Sequence, residues 1–393
     1  MKIRSVTAHI DPERHDMGVA AEMLAASRNA FPFEVQTVRA SVTPINGRYD
    51  SKEEALSAAT DLQEWAVSSN VDYVGGFGLG TYPAPGDVRF LRWLPDIFDS
   101  AERIFSNCQV AWGKTVSICA ARECSRLVKV LSMVEDGFMN LRFAGLYNCQ
   151  PDNPFFPASY ASGDVPRFSI SIEGADIASA AFADAGSLSD ARNRFLQLMR
   201  DRYCDILASS IVLEEEHGIA FAGMDFTLAP TPGKDGSIAN ALESLGHGEF
   251  GGPGTLFLSS FLSDCIKSLG GRIGFSGLMY PVMEDGVISE RVSQQRLSID
   301  SLLSYSSVCG TGLDCVPLPG NISERALLSL MMDVAGLSCR LGKPLTTRLF
   351  PVFGKGPGDM TTFDFPYFSN TRIMEAGEPG LLGFDEDEFR FDV

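Results

Sequence analysis

Residues 307–353 read SVCGTGLDCVPLPGNISERALLSLMMDVAGLSCRLGKPLTTRLFPVF, and the punctuation of this stretch decides the fold class. It predicts a strand over Ser307 to Leu318, a helix over Glu324 to Leu341 opened by Ser323, and a second strand over Thr346 to Phe353. Strand, capped helix and strand make a βα unit, whose two strands lie parallel.

The alternation runs outward along nearly the whole chain. Further strands are expected at Ile3 to Ile10, Glu34 to Ala40, Asp72 to Phe77, Phe105 to Val110, Asn140 to Leu146, Arg167 to Ile172, Ile219 to Leu228 and Ile273 to Val282. Helical patterns fill the intervals at Met17 to Arg28, Ser51 to Ser68, Arg89 to Ala101, Ser117 to Met133, Leu188 to Glu216, Ser237 to Leu245, Thr255 to Ser268 and Ile299 to Tyr305. Ser51-Lys52-Glu53-Glu54 reads as a capping box. Roughly ten strands are too many for a flat open sheet, so the expectation is an α/β fold with a largely parallel sheet closed into a ten-stranded α/β barrel. The barrel is expected as one domain over residues 1–376, with an acidic tail over 377–393 that keeps three phenylalanines and docks in part. Asn148 to Arg167, reading NCQPDNPFFPASYASGDVPR, is the one break in the pattern and is expected to be a functional loop.

Composition bounds the function classes. Hydrophobic residues at 45% against 21% charged are enough for a sizeable core in a chain of 393 residues. Fifty acidic against 32 basic residues give a net charge of −18, which disfavours nucleic acid and anionic membranes as partners. No apolar stretch reaches the roughly 18 residues a membrane span needs. The N-terminal residues MKIRSVT enter an apolar alternation with no secretory h-region. Nine cysteines without a CxxC pair argue against a disulfide framework and a structural zinc. A cytoplasmic protein is expected.

Three clusters carry candidate chemistry. In SSVCGTGLDCVPLPG, residues 306–320, glycines flank Cys309, which is read as a strand-end thiol with Asp314 in the same loop to position a base. A buried packing cysteine is the alternative. In GFSGLMYPVMED, residues 274–285, Ser276 lies in a strand that runs out into Glu284 and Asp285. Neighbouring residues on a strand face opposite ways, so one acid can serve a pocket as general base or ligand, unless both are solvated in a turn. In TTRLFPVFGKGPGDMTTFD, residues 346–364, Arg348 inside a strand must be paired if buried, and with Lys355 could clamp an anion. GKGPGD is no phosphate loop of the GxxxxGK[ST] type.

Arg39 near a strand end, followed by Thr43, and Asp225 inside an apolar strand complete the candidates, because a carboxylate there is costly unless hydrogen-bonded or ligating. Gly75-Gly76-Phe77-Gly78-Leu79-Gly80 fits a dinucleotide motif poorly and Pro83 and Pro85 replace the helix, so no nucleotide cofactor is expected. Among the histidines, His9, with Asp11 beyond it, is the one expected to reach a strand-end site.

Six segments in register, VDYVGGFGLG, DFTLAPTP, FGGPGTL, GFSGLMYPVMED, VCGTGLDCVPLPG and KPLTTRLFPVFGKGPGDMTTFDFPYFSNTR, resemble the domain of unknown function 711 family from about Lys2 to Glu375. The resemblance implies a pyruvate formate-lyase-like barrel of ten strands in two parallel halves. In related radical enzymes a finger loop presents a cysteine at the barrel centre, and VCGTGLD is its expected counterpart. The chain departs in two places: no C-terminal glycine-radical motif follows Asn370 to Glu375, and Ala161 stands where relatives often carry histidine after FFPAAY. Glycyl-radical chemistry is therefore not expected.

The leading expectation is a non-radical enzyme acting on a small polar or anionic metabolite, by lyase, isomerase or acyl-transfer chemistry. Cys309, Asp225, Glu284 and Asp314 are its catalytic candidates, and Arg39, Thr43, Ser276, Arg348 and Lys355 its binding residues. A metal-dependent hydrolase using a divalent cation on His9, Asp11, Asp225 and Glu284 or Asp285 is the first alternative, and a non-catalytic metabolite-binding protein the second. A homo-oligomer is compatible with all three.

Overall fold

A computed structural model describes residues 1–377 and 386–392. Its strands are β1 (Lys2–Ile10), β2 (Val35–Val42), β3 (Tyr73–Gly75), β4 (Ser106–Trp112), β5 (Thr115–Ser117), β6 (Phe143–Tyr147), β7 (Arg167–Glu173), β8 (Ala220–Asp225), β9 (Gly312–Pro319), β10 (Leu345–Val352) and β11 (Glu388–Arg390). They form two sheets, β3-β2-β1-β7-β8 and β11-β5-β4-β6-β10-β9. The fold is mixed α/β, and so is the pairing: β1 with β2, β2 with β3, β7 with β8, β4 with β6 and β9 with β10 are parallel. β1 meets β7 and β6 meets β10 antiparallel. No described helix is long and apolar enough to cross a membrane.

Strand alternation sorts the chain into layers. On β1, Val6, Ala8 and Ile10 belong to the large hydrophobic cluster that the helices cover. The opposite face carries Ser5, Thr7 and His9, in register with Thr37, Arg39 and Ser41 of β2 and, for the first two, Ser171 and Ser169 of β7. All but Thr37 are buried, so the inner face of this sheet is polar and withdrawn from water.

The two sheets approach at both edges. At one, Val74 and Leu79 exchange backbone hydrogen bonds of 2.7–2.9 Å with Arg103, Phe105, Asn107 and Gln109. At the other, the segment 272–282 bridges Met224 to Arg272 and Leu228 to Leu278, while the Gly310 N–H donates to the Leu278 carbonyl at 2.9 Å. The expected strand from Ile273 to Val282 is thus reduced to isolated bridges. The cause is Asp225, whose carboxylate draws the Phe275 and Ser276 N–H groups away from a ladder at 2.8 and 2.9 Å.

The expected strand from Ser307 begins five residues late. Ser307 to Gly310 form the exit turn of the helix Ile299–Ser306, so Cys309 stands before β9 rather than at a strand end. Of the tail, β11 pairs with β5 and Phe391 packs half-buried on the core. Residues 378–385 and 393 lie outside the described residues.

The loop between β6 and β7 spans both sheets. Gln109 of β4 donates to the Cys149 carbonyl at 2.9 Å and Asn107 to those of Pro157 and Ser159 at 2.8 and 3.0 Å. From the other sheet the Ser5 hydroxyl donates to the Pro154 carbonyl at 3.4 Å, and the Ala161 N–H donates to Val42 at 3.0 Å. Residues 75–80 are its seat. A Cβ on Gly75 would meet the Phe156 ring at 2.8 Å, and one on Gly80 the Tyr160 ring at 2.6 Å. Aromatic rings thus cover the bare backbone of this glycine-rich segment.

A Gly80→Ala substitution is accordingly expected to destabilise by about 1–3 kcal/mol through overpacking. Gly336→Ala, in the helix Glu324–Leu341 with nothing within 4 Å of the new Cβ, is expected to stabilise by up to about 1 kcal/mol. Denaturant titration of the two variants checks the opposite signs.

Candidate functional site

Three buried ions and the half-buried Arg4 meet between the sheets. Arg348 of β10 donates through Nε to Asp314 Oδ1 at 2.6 Å and through Nη2 to Glu284 Oε1 at 2.8 Å. Arg4 of β1 donates through Nη2 to Glu284 Oε2 at 3.0 Å, and the Cys315 thiol donates to Glu284 Oε1 at 3.2 Å. The local backbone explains how two acids reach one arginine. The β9–β10 register shifts between Thr347 and Leu349, a bulge that sets Asp314 and Cys315 opposite Arg348, with Cys315 at φ +47°. A non-glycine residue held in that region is strained, and such strain clusters at functional sites.

Electrostatics follow from burial. Burial alone pushes the Glu284 carboxyl up, but Arg348 and Arg4 overcome it and hold its pKa down to about 2. Burial likewise opposes the charge on Arg348, and Asp314 with Glu284 more than restores it. Glu284 and Arg348 are therefore charged near neutrality.

Arg39 is different. It is buried, with its guanidinium 5.1 Å from the Phe156 ring centroid and 5.7 Å from that of Tyr73. Its one side-chain hydrogen bond among the described residues runs from Nε to Thr37 Oγ1 at 2.9 Å, and it makes no ion pair there. Burial, reinforced by Arg4, pulls its pKa down to about 10. The Phe156 ring that Arg39 faces also lines, with Arg4, Phe155, Asp314, Thr346 and Arg348, a cavity of about 20 Å³ whose wall does not include Arg39. That is room for one water.

The other expected residues are distributed as follows. Asp225 accepts the N–H groups of Thr227, Phe275 and Ser276, so its carboxylate stitches β8 to the segment 272–282. Ser276, at φ +38°, is spent on the same seam, donating to Ile273 O at 2.8 Å and accepting from Phe226 N at 3.2 Å. Of the adjacent acids, Glu284 faces the ion network while Asp285 caps two helix starts, accepting from Val287, Ile288 and Ile238 N–H and the Ser237 hydroxyl. Both are buried, which corrects the solvated-turn alternative.

Cys309 packs in the helix-facing hydrophobic cluster and does not line the cavity. The glycines that seemed to open space beside it bring two backbones together instead: a Cβ on Gly277 would lie 2.9 Å from Gly310 Cα. Lys355 is half-buried past the end of β10, donating to Met360 O at 2.6 Å, and takes no part. Thr43 lines a separate cleft.

His9 lies on the inner face, its Nε2 2.6 Å from Ser169 Oγ and its Nδ1 without a hydrogen-bond partner among the described residues. Burial is the main cause of its pKa falling to about 4, so it is neutral. Asp11 closes a local turn on the Glu13 N–H at 3.0 Å. No three His, Cys, Asp or Glu side chains among the described residues come together as a metal site, so His9, Asp11, Asp225 and Glu284 do not assemble the divalent-cation set.

Sequence reasoning missed Arg4 and Cys315, while the Phe155-Phe156 tip lies in the loop expected to be functional. Strand alternation gave no signal for Arg4, since it sets the residue on the face of Val6 and Ala8; the register shift between Ile3 and Ser5 breaks that alternation at Arg4.

The fold and this buried ion network define a mixed α/β protein with a small polar chamber between two sheets. The family model described as "Uncharacterised ACR (DUF711)" matches residues 2–369, and the chain belongs to that family. It is 31% identical over 88% of its length to a UPF0210 protein of Pyrobaculum islandicum, covering 79% of that relative. The UPF0210 proteins of Oenococcus oeni and Bifidobacterium longum are each 27% identical, over 85% and 83% of this chain and 77% and 76% of theirs.

Two outcomes are expected on acidification. His9 titrates at about 4 folded and at about 6.5 unfolded, so stability falls as pH drops through that window, and His9→Gln should flatten it there. Glu284, depressed to about 2, adds a second loss that begins below the unfolded carboxyl value of about 4.3. Arg348→Met should cost about 3–5 kcal/mol at neutral pH, because it strands two buried carboxylates. Urea unfolding across pH measures all three.

Proposed function

We propose that the two sheets close into a ten-stranded barrel of the pyruvate formate-lyase-like kind and that the protein acts on a small anionic metabolite held inside it. Closure is supported by the hydrogen bonds at both sheet edges, which order the strands β1-β2-β3-β4-β6-β10-β9, then the segment 272–282, then β8-β7. In that barrel the loop 149–161, rather than residues 308–314, enters the centre as the counterpart of a finger loop. Its Cys149 is no ready nucleophile, since burial pushes the thiol pKa up to about 12.

The observation that carries the ligand assignment is Arg39. A buried guanidinium without a counter-ion is costly by several kcal/mol, while Arg4, Glu284, Arg348 and Asp314 balance one another. A carboxylate or phosphate at Arg39 supplies the missing charge and stays beside Glu284 and Asp314 as acid/base or orienting groups. Since only about 20 Å³ is open, entry requires the Phe155-Phe156 tip to move. Free cysteines throughout the described chain fit a reducing cytoplasm.

Thermal shift with inorganic phosphate and a panel of small mono- and dicarboxylates tests this reading. At least one probe should raise the melting temperature of the wild type and of Cys309→Ala but not of Arg39→Met. An equal rise in Arg39→Met would refute the assignment. Product analysis of the stabilising compound then separates turnover from binding alone.

A further inference from the structure

A second cavity, of about 280 Å³, opens at the carboxyl ends of β1 and β2, outside the polar chamber. An apolar cavity of about 150 Å³ already accepts benzene, so this one holds an aromatic ring with several further atoms. The carboxyl ends of parallel strands are where α/β folds place ligands. Here the wall is Met17, Val42, Leu62, Trp65 and Phe77, and three charged groups stand around it: Arg48, Glu13 and Asp61.

Arg48 and Glu13 pair only loosely. Arg48 Nη2 donates to Thr43 Oγ1 at 3.3 Å, and its Nη1 lies 3.6 Å from Glu13 Oε1, a long contact to a carboxylate that is 68% exposed. Tyr49, also in the wall, marks where they converge. Burial raises its hydroxyl pKa, Arg48 lowers it by its charge and a hydrogen bond, and Glu13 and Asp61 raise it again, so the charges of all three act on this hydroxyl.

We infer that this cleft binds a free α-amino acid with a large apolar side chain. The side chain enters the wall between Trp65, Leu62 and Phe77. The carboxylate takes the guanidinium donors of Arg48 that the long Glu13 contact leaves open, and the ammonium faces Glu13 and Asp61 at the mouth. One cation and two anions in the site match one carboxylate and one ammonium in the ligand, with a surplus negative charge at the rim that favours the ammonium. This inference does not rest on the reading of the interior chamber.

Isothermal titration of the full-length protein with L-phenylalanine, 3-phenylpropionate and 2-phenylethylamine tests it. L-Phenylalanine should bind saturably, and each analogue lacking one charged group should bind about tenfold more weakly or worse. Arg48→Gln should weaken L-phenylalanine by about tenfold or more and leave 2-phenylethylamine unchanged. Arg39→Met should leave every affinity as in the wild type, which keeps this site separate from the chamber. Absence of saturable binding, equal binding of either analogue, or insensitivity to Arg48→Gln in a variant shown to be folded would overturn the assignment.

Discussion

Glu284 is the residue on which the arrangement turns. Its two oxygens accept from Arg4 on the five-stranded sheet and Arg348 on the six-stranded sheet, so one carboxylate ties the halves of the molecule together. Taking such ions out of water costs several kcal/mol each, which is recovered only if every charge finds good partners. That requirement reaches into the backbone. Arg348 can serve both Glu284 and Asp314 because β9 bulges opposite it, and the bulge in turn puts Cys315 into a left-handed conformation. The sheets could not slide by one residue without breaking all of these contacts, since a one-residue shift reverses every side chain.

The loop 149–161 depends on the same frame. It is held from both sheets, by Asn107 and Gln109 on one side and Ser5 and Val42 on the other, and its rings lie on the bare backbone of residues 75–80. Phe156 then sits over Arg39 and beside the ion network, so the loop is both the packing of the interior and the roof of the chamber. Moving its tip would uncover a guanidinium that pairs with no carboxylate among the described residues.

Much of this was legible in the sequence, for reasons that are local. The βα alternation placed most of the strands within a few residues, but Glu284 and Asp285 stand in a turn before a helix, so their different partners do not come from strand alternation. The cost of burying Asp225 was also read correctly, but its partners are backbone N–H groups fifty residues away, which no spacing rule announces. Glycines beside the Cys309 thiol read as room for a ligand; Gly310 and Gly277 instead allow two backbones to touch. Arg4 was missed because its partner Glu284 is 280 residues distant. Pairings of that range are set by topology, and the family membership adds no functional name to them.

The most direct measurement is the anomalous difference density of crystals grown in bromide. The account predicts a bromide peak within hydrogen-bonding distance, about 3.5 Å, of the Arg39 guanidinium, beneath a displaced Phe155-Phe156 tip. An Arg39 side chain paired instead with a protein carboxylate, with no peak beside it, would contradict the account.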